Sequence, residues 1–445
     1  MQKNNFIWAI ALVLVSVSAI GQTGTSSPYS IGGLGELKPQ SFAQHQALGG
    51  ASISLQDNNS FSLINPASYT NLEFTVFDAG ARMTLGQLST ESLEANTRSG
   101  NFNYFAMAFP FETKRKMALS FGTNQYSDVG YEIINRANTD TPSYYNLFSG
   151  SGGINRVYLG YGVEVAKNLN FGINFNYNFG SIQSAKAKIY PNSDNRFSHT
   201  DEDYMSYRGI DIDLGMQYSV YQNVQSKTND AHRIKHTLGA AFNTGASLRG
   251  TGYRYSETFF GRAYEANRTL PIDTVLFDDN VKDTATKPVG ISVGYTVSNG
   301  DKWALSLEMQ QNKWSGVTDR ESGNNFFDNT RYSVGFSIRP NTDYSTTGNY
   351  LKKVAYRIGG RYENLYYNFN NTQLNEIGIS FGLGLPVVKS VRLEEEKVAV
   401  VNMINITAEY MTRGTTQNGL IQEDYINITL GLNLNDKWFT KRKYR

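Results

Sequence analysis

Residues 170–179 read Asn-Phe-Gly-Ile-Asn-Phe-Asn-Tyr-Asn-Phe, and this stretch decides the fold class. Apolar or aromatic side chains alternate along it with Asn and Gly. Because a strand turns successive side chains to opposite faces, the stretch predicts a strand with one apolar and one polar face. The polar face is too small and too hydrophilic for a sheet that is packed into a core on both sides.

The same alternation recurs along the chain from Glu73 onward. Clear examples lie at residues 77–85, 157–164, 210–216, 289–295, 377–383, 404–410 and 426–432. With weaker segments included, the pattern predicts about fourteen strands, an even number in the range of bacterial outer-membrane barrels. A soluble β-sandwich also alternates, but its outer face carries charge, whereas the polar face here is mostly Gly, Ser and Asn.

The connections between the predicted strands alternate in length. Tight turns are expected at residues 111–116, 167–170 and 298–302, the last with the hairpin pair Asn299-Gly300. Long polar loops are expected at residues 126–153, 190–204 and 251–287. Short turns on one side and long loops on the other match the periplasmic and extracellular ends of a barrel. An even strand count then places both termini in the periplasm of an integral outer-membrane protein.

The composition supports an all-β, transmembrane antiparallel barrel. Charged residues make up 18% of the chain and aromatic residues 13%, with 41 glycines and no cysteine. This mixture is typical of transmembrane barrels. A net charge of +2 is too small to indicate a nucleic acid as partner. The absence of cysteine excludes disulfides and thiolate metal sites.

The chain divides into four parts. Residues 1–21 read as a secretory signal peptide, because the apolar run is shorter than the alternative, a membrane anchor, requires. Residues 22–72 are irregular and rich in Gly, Ser and Asn, as expected of a hatch, or plug, inside the barrel; a disordered leader is the alternative. Residues 73–434 form the barrel. Residues 435–445 form a basic tail, either solvated or in contact with a partner, after Trp438 and Phe439 at the inner interface.

Three short motifs carry a resemblance to a known family. The segment Leu48-Gly-Gly-Ala51 is followed by Asp57-Asn58-Asn59 and by Asn65-Pro66-Ala67 just before the first strand. This order resembles the FadL/TodX (OMPP1) family of outer-membrane transporters of hydrophobic compounds, in its Bacteroidota type. Trp303, which begins a predicted strand, and Trp314, which ends it, fit the same resemblance.

The resemblance implies that a hatch with an Asn-Pro-Ala motif plugs a fourteen-stranded barrel in a Gram-negative outer membrane. It also implies passive uptake of small, fatty-acid-like compounds. No ligand-binding residue can be matched by position. In the motif itself, Pro66 fixes its own φ and biases Asn65 toward an extended conformation. The Asn65 amide is then expected to tie the hatch to itself or to the wall. A plain turn that leads into the first strand is the alternative.

The chain shows no catalytic constellation, and we expect neither enzyme activity nor a metal or other cofactor. The four histidines lack metal-ligand spacing. Asp211 and Asp213 share one strand face, and we expect them in a lumen network beside basic residues such as Arg357 and Arg361. General acid–base catalysis would also require a defined pocket.

Two functions remain open. One is uptake of a hydrophobic small molecule through a hatch-gated lumen. The other is a non-transporting accessory subunit of an outer-membrane secretion or assembly complex. The expected partners are outer-membrane lipid, with a hydrophobic ligand in the first case and outer-membrane proteins in the second. An apolar path past the hatch would favour uptake. A filled lumen with an exposed aromatic patch on the loops would favour the accessory role.

Overall fold

The computed structural model describes residues 24–112, 116–137, 144–191, 196–224, 232–260, 271–318, 323, 325–344, 348–369, 371–393 and 396–438. The predicted signal peptide lies outside this range, as do Phe439 and the basic residues Lys441, Arg442, Lys443 and Arg445 of the predicted tail. Trp438 is described, and its ring packs edge-on against Phe77 with centroids 5.7 Å apart.

The described part of the chain contains seventeen strands. These are β1 (Glu36–Leu37), β2 (Thr75–Ser89), β3 (Glu94–Glu112), β4 (Met117–Ala137), β5 (Tyr144–Ala166), β6 (Leu169–Ile189), β7 (Ser198–Val224), β8 (His232–Asn243), β9 (Ala246–Phe259), β10 (Pro271–Lys287), β11 (Gly290–Asn299), β12 (Trp303–Asn312), β13 (Asn329–Ile338), β14 (Ala355–Phe369), β15 (Thr372–Leu393), β16 (Glu396–Gly414) and β17 (Gln422–Asp436). Helices are short: α1 (Ala43–Gln46) and 3₁₀ turns at Pro28–Ile31, Pro66–Asn71, Tyr350–Lys352 and Gln417–Gly419. No described helix is long and apolar enough to cross a membrane.

Fourteen of these strands, β2–β8 and β11–β17, form a closed antiparallel barrel. Neighbours in sequence pair in turn, and β8 pairs directly with β11. The barrel closes where β17 pairs with β2, from Asp436 opposite Thr75 to Gln422 opposite Ser89. The predicted strand number and the pairing of the first strand with the last are confirmed. Because the barrel is closed, no strand edge exposes unpaired backbone N–H and C=O groups to lipid, which offers them no hydrogen-bond partners.

The two faces of the wall differ as the alternation predicts. On β6, Asn174, Asn176 and Asn178 are buried and face the lumen, whereas Phe175 is 53% exposed on the outside. The neighbouring strands continue this outer belt with exposed apolar side chains such as Leu214. The barrel therefore carries its apolar surface outward, toward lipid, and its small polar side chains inward.

One rim of the barrel, which we call the turn end, carries tight connections and one long connection, residues 339–354 between β13 and β14. β5 and β6 are joined through Lys167 and Asn168, and β11 and β12 through Asn299-Gly300. Asn168 and Gly300 both have positive φ, of 63° and 53°, as tight hairpin turns require. The opposite rim, which we call the hairpin end, carries strands that extend far beyond the belt.

The prediction of long polar loops at the hairpin end is wrong for most of residues 126–153 and 251–287. β4 and β5 stay paired up to Ala137 and Tyr144. β9 and β10 form a hairpin whose β9 strand pairs with the outer part of β7. The outer part of β10 is solvated on both faces, so its polar composition follows from exposure and not from an irregular backbone. Leu147, Ala187, Ile189 and Phe259 form a small buried apolar cluster between β5, β6 and β9.

Residues 24–74, which we call the inner segment, contact strands around the whole barrel. The 3₁₀ turn at Pro66–Asn71 contacts β3–β7, and α1 contacts β15–β17 on the opposite side. Helix α1 ends where Gly49 and Gly50 adopt φ of +69° and +92°, which explains the glycine pair in the Leu48–Ala51 motif. Contacts on opposite walls place the inner segment in the lumen.

The parity argument for the termini holds for the barrel but not for Gly24. Thr75 and Asp436 are paired at the turn end. The inner segment, however, runs through the lumen, so that Gly24 lies beside Asp128 of β4 and Asn101 of β3, well away from that end. The expectation that both termini are periplasmic therefore does not extend to the first described residue.

Glycines on the inner face of the wall make room for the inner segment. Gly162, Gly172 and Gly215 are cross-strand neighbours on β5, β6 and β7. A Cβ at Gly172 would overlap the backbone of Pro66 and lie 2.6 Å from the Ala67 nitrogen. The same close approach recurs on the opposite wall, at Gly335, Gly359, Gly382 and Gly431. These strand glycines mark places where two backbones meet.

We expect Leu214→Arg to destabilise the barrel by about 2–4 kcal/mol, because the outer face of β7 would carry a charge into lipid. Ser206→Arg is the matched control. Ser206 is exposed on the same strand and the same face, but it lies in the extension toward the hairpin end. Urea unfolding in lipid vesicles measures both. Equal destabilisation by the two substitutions would contradict the assignment of the belt.

We expect Gly172→Ala to cost about 1–3 kcal/mol, because its methyl group would overlap backbone that cannot move aside. Gly360→Ala is the control. At that strand glycine the nearest atom to an added Cβ is the Val334 Cγ1, 3.7 Å away. Urea midpoints and the rate at which a protease cleaves the inner segment report the effect. If both alanine substitutions were tolerated alike, the inner segment would not lie against Gly162, Gly172 and Gly215.

Candidate functional site

The Asn-Pro-Ala motif lies where the inner segment meets the wall. Asn65 is fully buried and caps the following 3₁₀ turn, since its side-chain oxygen accepts a hydrogen bond from the Ala67 nitrogen at 3.1 Å. Its Nδ2 donates to the Ile53 carbonyl at 2.7 Å and to the Met216 carbonyl of β7 at 3.2 Å. The Asn65 amide thus joins two parts of the inner segment to the barrel. Pro66 and Ala67 lie against Gly162, Gly172 and Gly215 of the wall.

Wall side chains hydrogen-bond the backbone of the inner segment on other sides as well. Glu308 accepts from the Ser52 and Ile53 nitrogens at 2.7 and 2.8 Å. Ser333 donates to the Gly49 carbonyl at 2.9 Å, and Thr407 donates to the Ala43 carbonyl at 2.7 Å. Buried backbone groups outside regular structure need such partners. The wall supplies them from several strands, so the segment is held around the whole circumference.

A cluster of buried charges, which we call the Arg413 cluster, fills the lumen between the inner segment and β14–β17. Arg413 pairs with Glu376 at 2.6 Å, with Glu423 at 3.3 Å and with Glu36 of the inner segment at 3.0 Å. Arg361 pairs with Glu376 at 2.7 Å and with Glu409 at 2.6 Å. Each buried charge has an opposite partner, which is the condition for stability at such burial.

Asp211 and Asp213 belong to a second cluster, and the prediction that they lie beside Arg357 and Arg361 is wrong. The Lys287 Nζ donates to Asp211 at 2.6 Å, and Arg156 lies 3.7 Å from Asp213. Asn176 donates to both carboxylates, at 3.0 and 2.8 Å. Lys287 is the last residue of β10, at the base of the β9–β10 hairpin. It lies far from both aspartates in the sequence.

Arg357 and Arg361 lie on β14, across the lumen from that pair. The Arg357 Nη1 donates to the Asn405 side-chain oxygen at 3.0 Å, and Arg361 belongs to the Arg413 cluster. The structure therefore separates Asp211 and Asp213 from Arg357 and Arg361, which were expected beside them.

The two tryptophans have unlike surroundings. Trp303 begins β12 at the turn end and is partly buried. Trp314 is 1% exposed and follows β12 at the hairpin end, where it stacks on Tyr366 with centroids 4.2 Å apart and an interplanar angle of 18°. Phe326 packs edge-on against both rings. This aromatic group lies against Gly32 and Gly33 of the inner segment and closes the lumen there.

Three cavities between the inner segment and the described wall have volumes of about 40, 80 and 110 Å³. A fourth, of about 520 Å³, lies at the hairpin end between Ser26 and Pro28 of the inner segment and wall residues such as Tyr131. The first is lined largely by the Arg413 cluster and the third by the Asp211–Lys287 cluster. An apolar hollow of about 700 Å³ exists, but outward-facing residues such as Leu238, Val293 and Tyr332 line it. That hollow belongs to the lipid-facing surface.

Titratable groups in the lumen are tied into structure. Burial, and next the positive charge of Arg357, lowers the pKa of His45 to about 3, so that its ring is neutral at neutral pH. His236 lies on the wall, where its ring nitrogens contact the Tyr295 hydroxyl and Gln222. Within the described ranges, no three His, Asp or Glu side chains converge as a metal site would require.

Sequence reasoning missed the residues that carry most of this arrangement. The inward glycines were interpreted only as part of the polar face of alternating strands, and the wall acceptor Glu308 was not singled out. Glycine in the middle of a strand is a signal of close backbone approach. Arg413 and Glu376 gave no local signal, because their partners lie far apart in the sequence.

The fold is similar to those of solved outer-membrane channels. A Pseudomonas aeruginosa FadL homologue has a TM-score of 0.59 at 12% identity, covering 90% of this chain and 99% of that chain. The P. putida toluene transporter TodX has a TM-score of 0.58 at 15% identity, covering 90% and 100%. The CymD monoaromatic hydrocarbon channel has a TM-score of 0.55 at 13% identity, covering 91% and 98%. At these identities the likeness establishes the fold alone.

The sequence itself gives a more specific result. No curated protein matches it. A family model described as BamG matches residues 1–445, the whole chain. The resemblance to FadL/TodX proteins thus holds for the architecture, while the match along the full sequence decides the family. The chain belongs to the BamG family.

Proposed function

We propose that this protein is a non-transporting barrel of the outer membrane that serves as an accessory subunit of an outer-membrane assembly or secretion complex. The turn end faces the periplasm in this proposal, and the extended hairpins face the exterior. The protein has no catalytic role. Its partners are lipid around the belt and other outer-membrane proteins.

The attachment of the inner segment to the wall on several sides is the observation that carries this proposal. Pockets for small molecules usually enclose about 300–1,000 Å³ with mostly apolar walls. Three cavities between the inner segment and the wall are smaller, at about 40, 80 and 110 Å³, and the one of about 520 Å³ lies at the hairpin end beside Ser26 and Pro28. Moving the inner segment would break the Glu36–Arg413 pair and the bonds of Asn65, and it would expose backbone groups on several sides. A gate of this kind opens only at high free-energy cost.

The family supports the same class of function. The family model that matches the whole chain is described as BamG, and membership of that family fits an accessory role. A subunit of such a complex needs a stable barrel and surfaces for its neighbours, and it does not need a permeation path. The extended hairpins provide surface of this kind.

Passive uptake of a small hydrophobic compound is the second candidate, and the fold likeness to TodX and CymD favours it. In this case the inner segment would act as a hatch, with Asn65 and Pro66 at the point of release. The ligand would also need an apolar site, which would have to form when the hatch moves. The two candidates therefore differ in whether the inner segment must move.

A disulfide across the hatch tests this difference. The Ser54 Oγ lies 2.7 Å from the Thr296 Oγ1 of β11, and the chain has no cysteine of its own. In the double variant Ser54→Cys, Thr296→Cys, oxidation would therefore lock the inner segment to the wall through a single bond. We expect the oxidised protein to keep full recovery of its partner proteins, because the accessory role needs no movement.

The reduced form of the same variant is the matched control. Uptake of toluene and of a fluorescent fatty acid is measured in cells that carry the variant as their only copy. We expect equal uptake by both forms. Uptake that is lost on oxidation and restored by reductant would overturn the proposal in favour of a moving hatch.

A further inference from the structure

The outer parts of β7, β9 and β10 form a three-stranded sheet that stands beyond the belt. Ser198 to Arg208 of β7 pair with β9, and β9 pairs with β10 along its length. The belt on β7 reaches Ile210, which is 70% exposed. At ~3.3 Å per residue, the strand extends roughly 40 Å beyond that point, or about 30 Å along the barrel axis at the usual tilt.

Apolar side chains collect at the far end of this sheet. We call them the tip patch: Phe197, Phe260, Ile272, Val275, Leu276 and Phe277. Val275 and Phe277 are 60% and 62% exposed, and the rings of Phe197 and Phe260 pack against each other at 5.4 Å. Large apolar side chains this exposed at the end of an extension indicate a binding surface.

Acidic side chains border the tip patch. Asp273, Asp278 and Asp279 are exposed on β10. Neither Asp273 nor Asp279 forms an ion pair with another residue in the described part of the chain, whereas Asp203 on β7 is paired with Arg254 at 2.7 Å. Asp278 lies opposite Arg254 of β9, so the surface offers apolar and aromatic side chains beside the unpaired carboxylates of Asp273 and Asp279.

We propose that the tip patch binds an extracellular segment of another outer-membrane protein, one that carries Lys or Arg beside apolar residues. This inference rests on the accessory function proposed above and names the contact that such a subunit would use. Apolar and aromatic side chains supply the buried centre of the contact, and the aspartates select the basic partner.

The position of the patch argues against lipid as the occupant. The tip lies beyond the belt by about 30 Å on the strand geometry, so it does not reach the acyl chains. The negative charges at its border would also repel anionic head groups. A protein segment that extends as far from the membrane can reach the tip patch, and its basic residues can complement the negative charge there.

Photo-crosslinking in living cells tests the contact. A photoreactive phenylalanine analogue is placed at Phe277 and, as the control, at Leu93, which is 73% exposed on the β2–β3 hairpin. We expect a product with another outer-membrane protein from position 277 and none from position 93. Mass spectrometry should place the crosslink in an extracellular segment with basic residues next to apolar ones. Crosslinks to a second copy of this chain, to lipid or lipopolysaccharide, or to nothing would overturn the proposal.

Substitutions measure the strength of the contact. The pair Val275→Ser, Phe277→Ser should lower recovery of the crosslinked protein about tenfold or more, as loss of an interface centre does. The pair Asp278→Lys, Asp279→Lys should lower it too, while Leu93→Ser should leave it unchanged. A heat-dependent shift in gel mobility confirms that each barrel is folded. Equal recovery with all variants would refute the tip contact.

These outcomes separate the two proposals. If the wild-type protein recovers outer-membrane partners and the tip variants recover them equally, the tip contact is wrong and the accessory function stands. If the wild-type protein recovers no outer-membrane protein, the accessory function itself is wrong.

Discussion

The inner segment must cross the lumen with almost no regular secondary structure of its own, and the rest of the structure depends on this constraint. Its buried amides and carbonyls need hydrogen-bond partners that helices or sheets would otherwise provide. The wall supplies them through Asn, Ser, Thr, Gln and Glu side chains such as Glu308 and Thr407. The small polar residues on the inner face of the wall are therefore needed to hold the inner segment. They do not indicate only a water-filled lumen.

Close approach and charge pairing follow from the same constraint. Wall side chains can reach the plug backbone only where the backbones lie near each other, which places glycines such as Gly172 at the contact. The remaining space holds paired charges around Arg413 and Asp211, each with an opposite partner. Removing one member of such a pair leaves a buried charge uncompensated. The plug and the barrel therefore form one packed unit.

Much of the barrel could be predicted from the sequence because its signal is local. Alternation at residues 170–179 fixes the two faces of one strand, and its recurrence gives the strand number and the closure. The outer part of β10 escaped this reasoning, since a strand solvated on both faces has no apolar period. The partners of Asp211 also escaped it, because Lys287 reaches that site only through the pairing of distant strands. The ion pairs in the lumen are determined by the strand pairing of the closed barrel, so they cannot be inferred from one strand at a time.

A lumen occupied by an inner segment changes where function can lie in a barrel of this kind. Solved channels with the same architecture have names that refer to hydrocarbons, so the fold alone does not decide between a channel and a scaffold. Here much of the interior holds the inner segment, and the cavity of about 520 Å³ lies at the hairpin end. The apolar surface that remains is on the outside, in the lipid belt and at the tip of the extended hairpin. The hydrophobic effect can stabilise a complex only where exposed apolar surface becomes buried against a partner. A barrel built this way is therefore suited to hold a neighbouring protein, with its rigid interior keeping the hairpin in place.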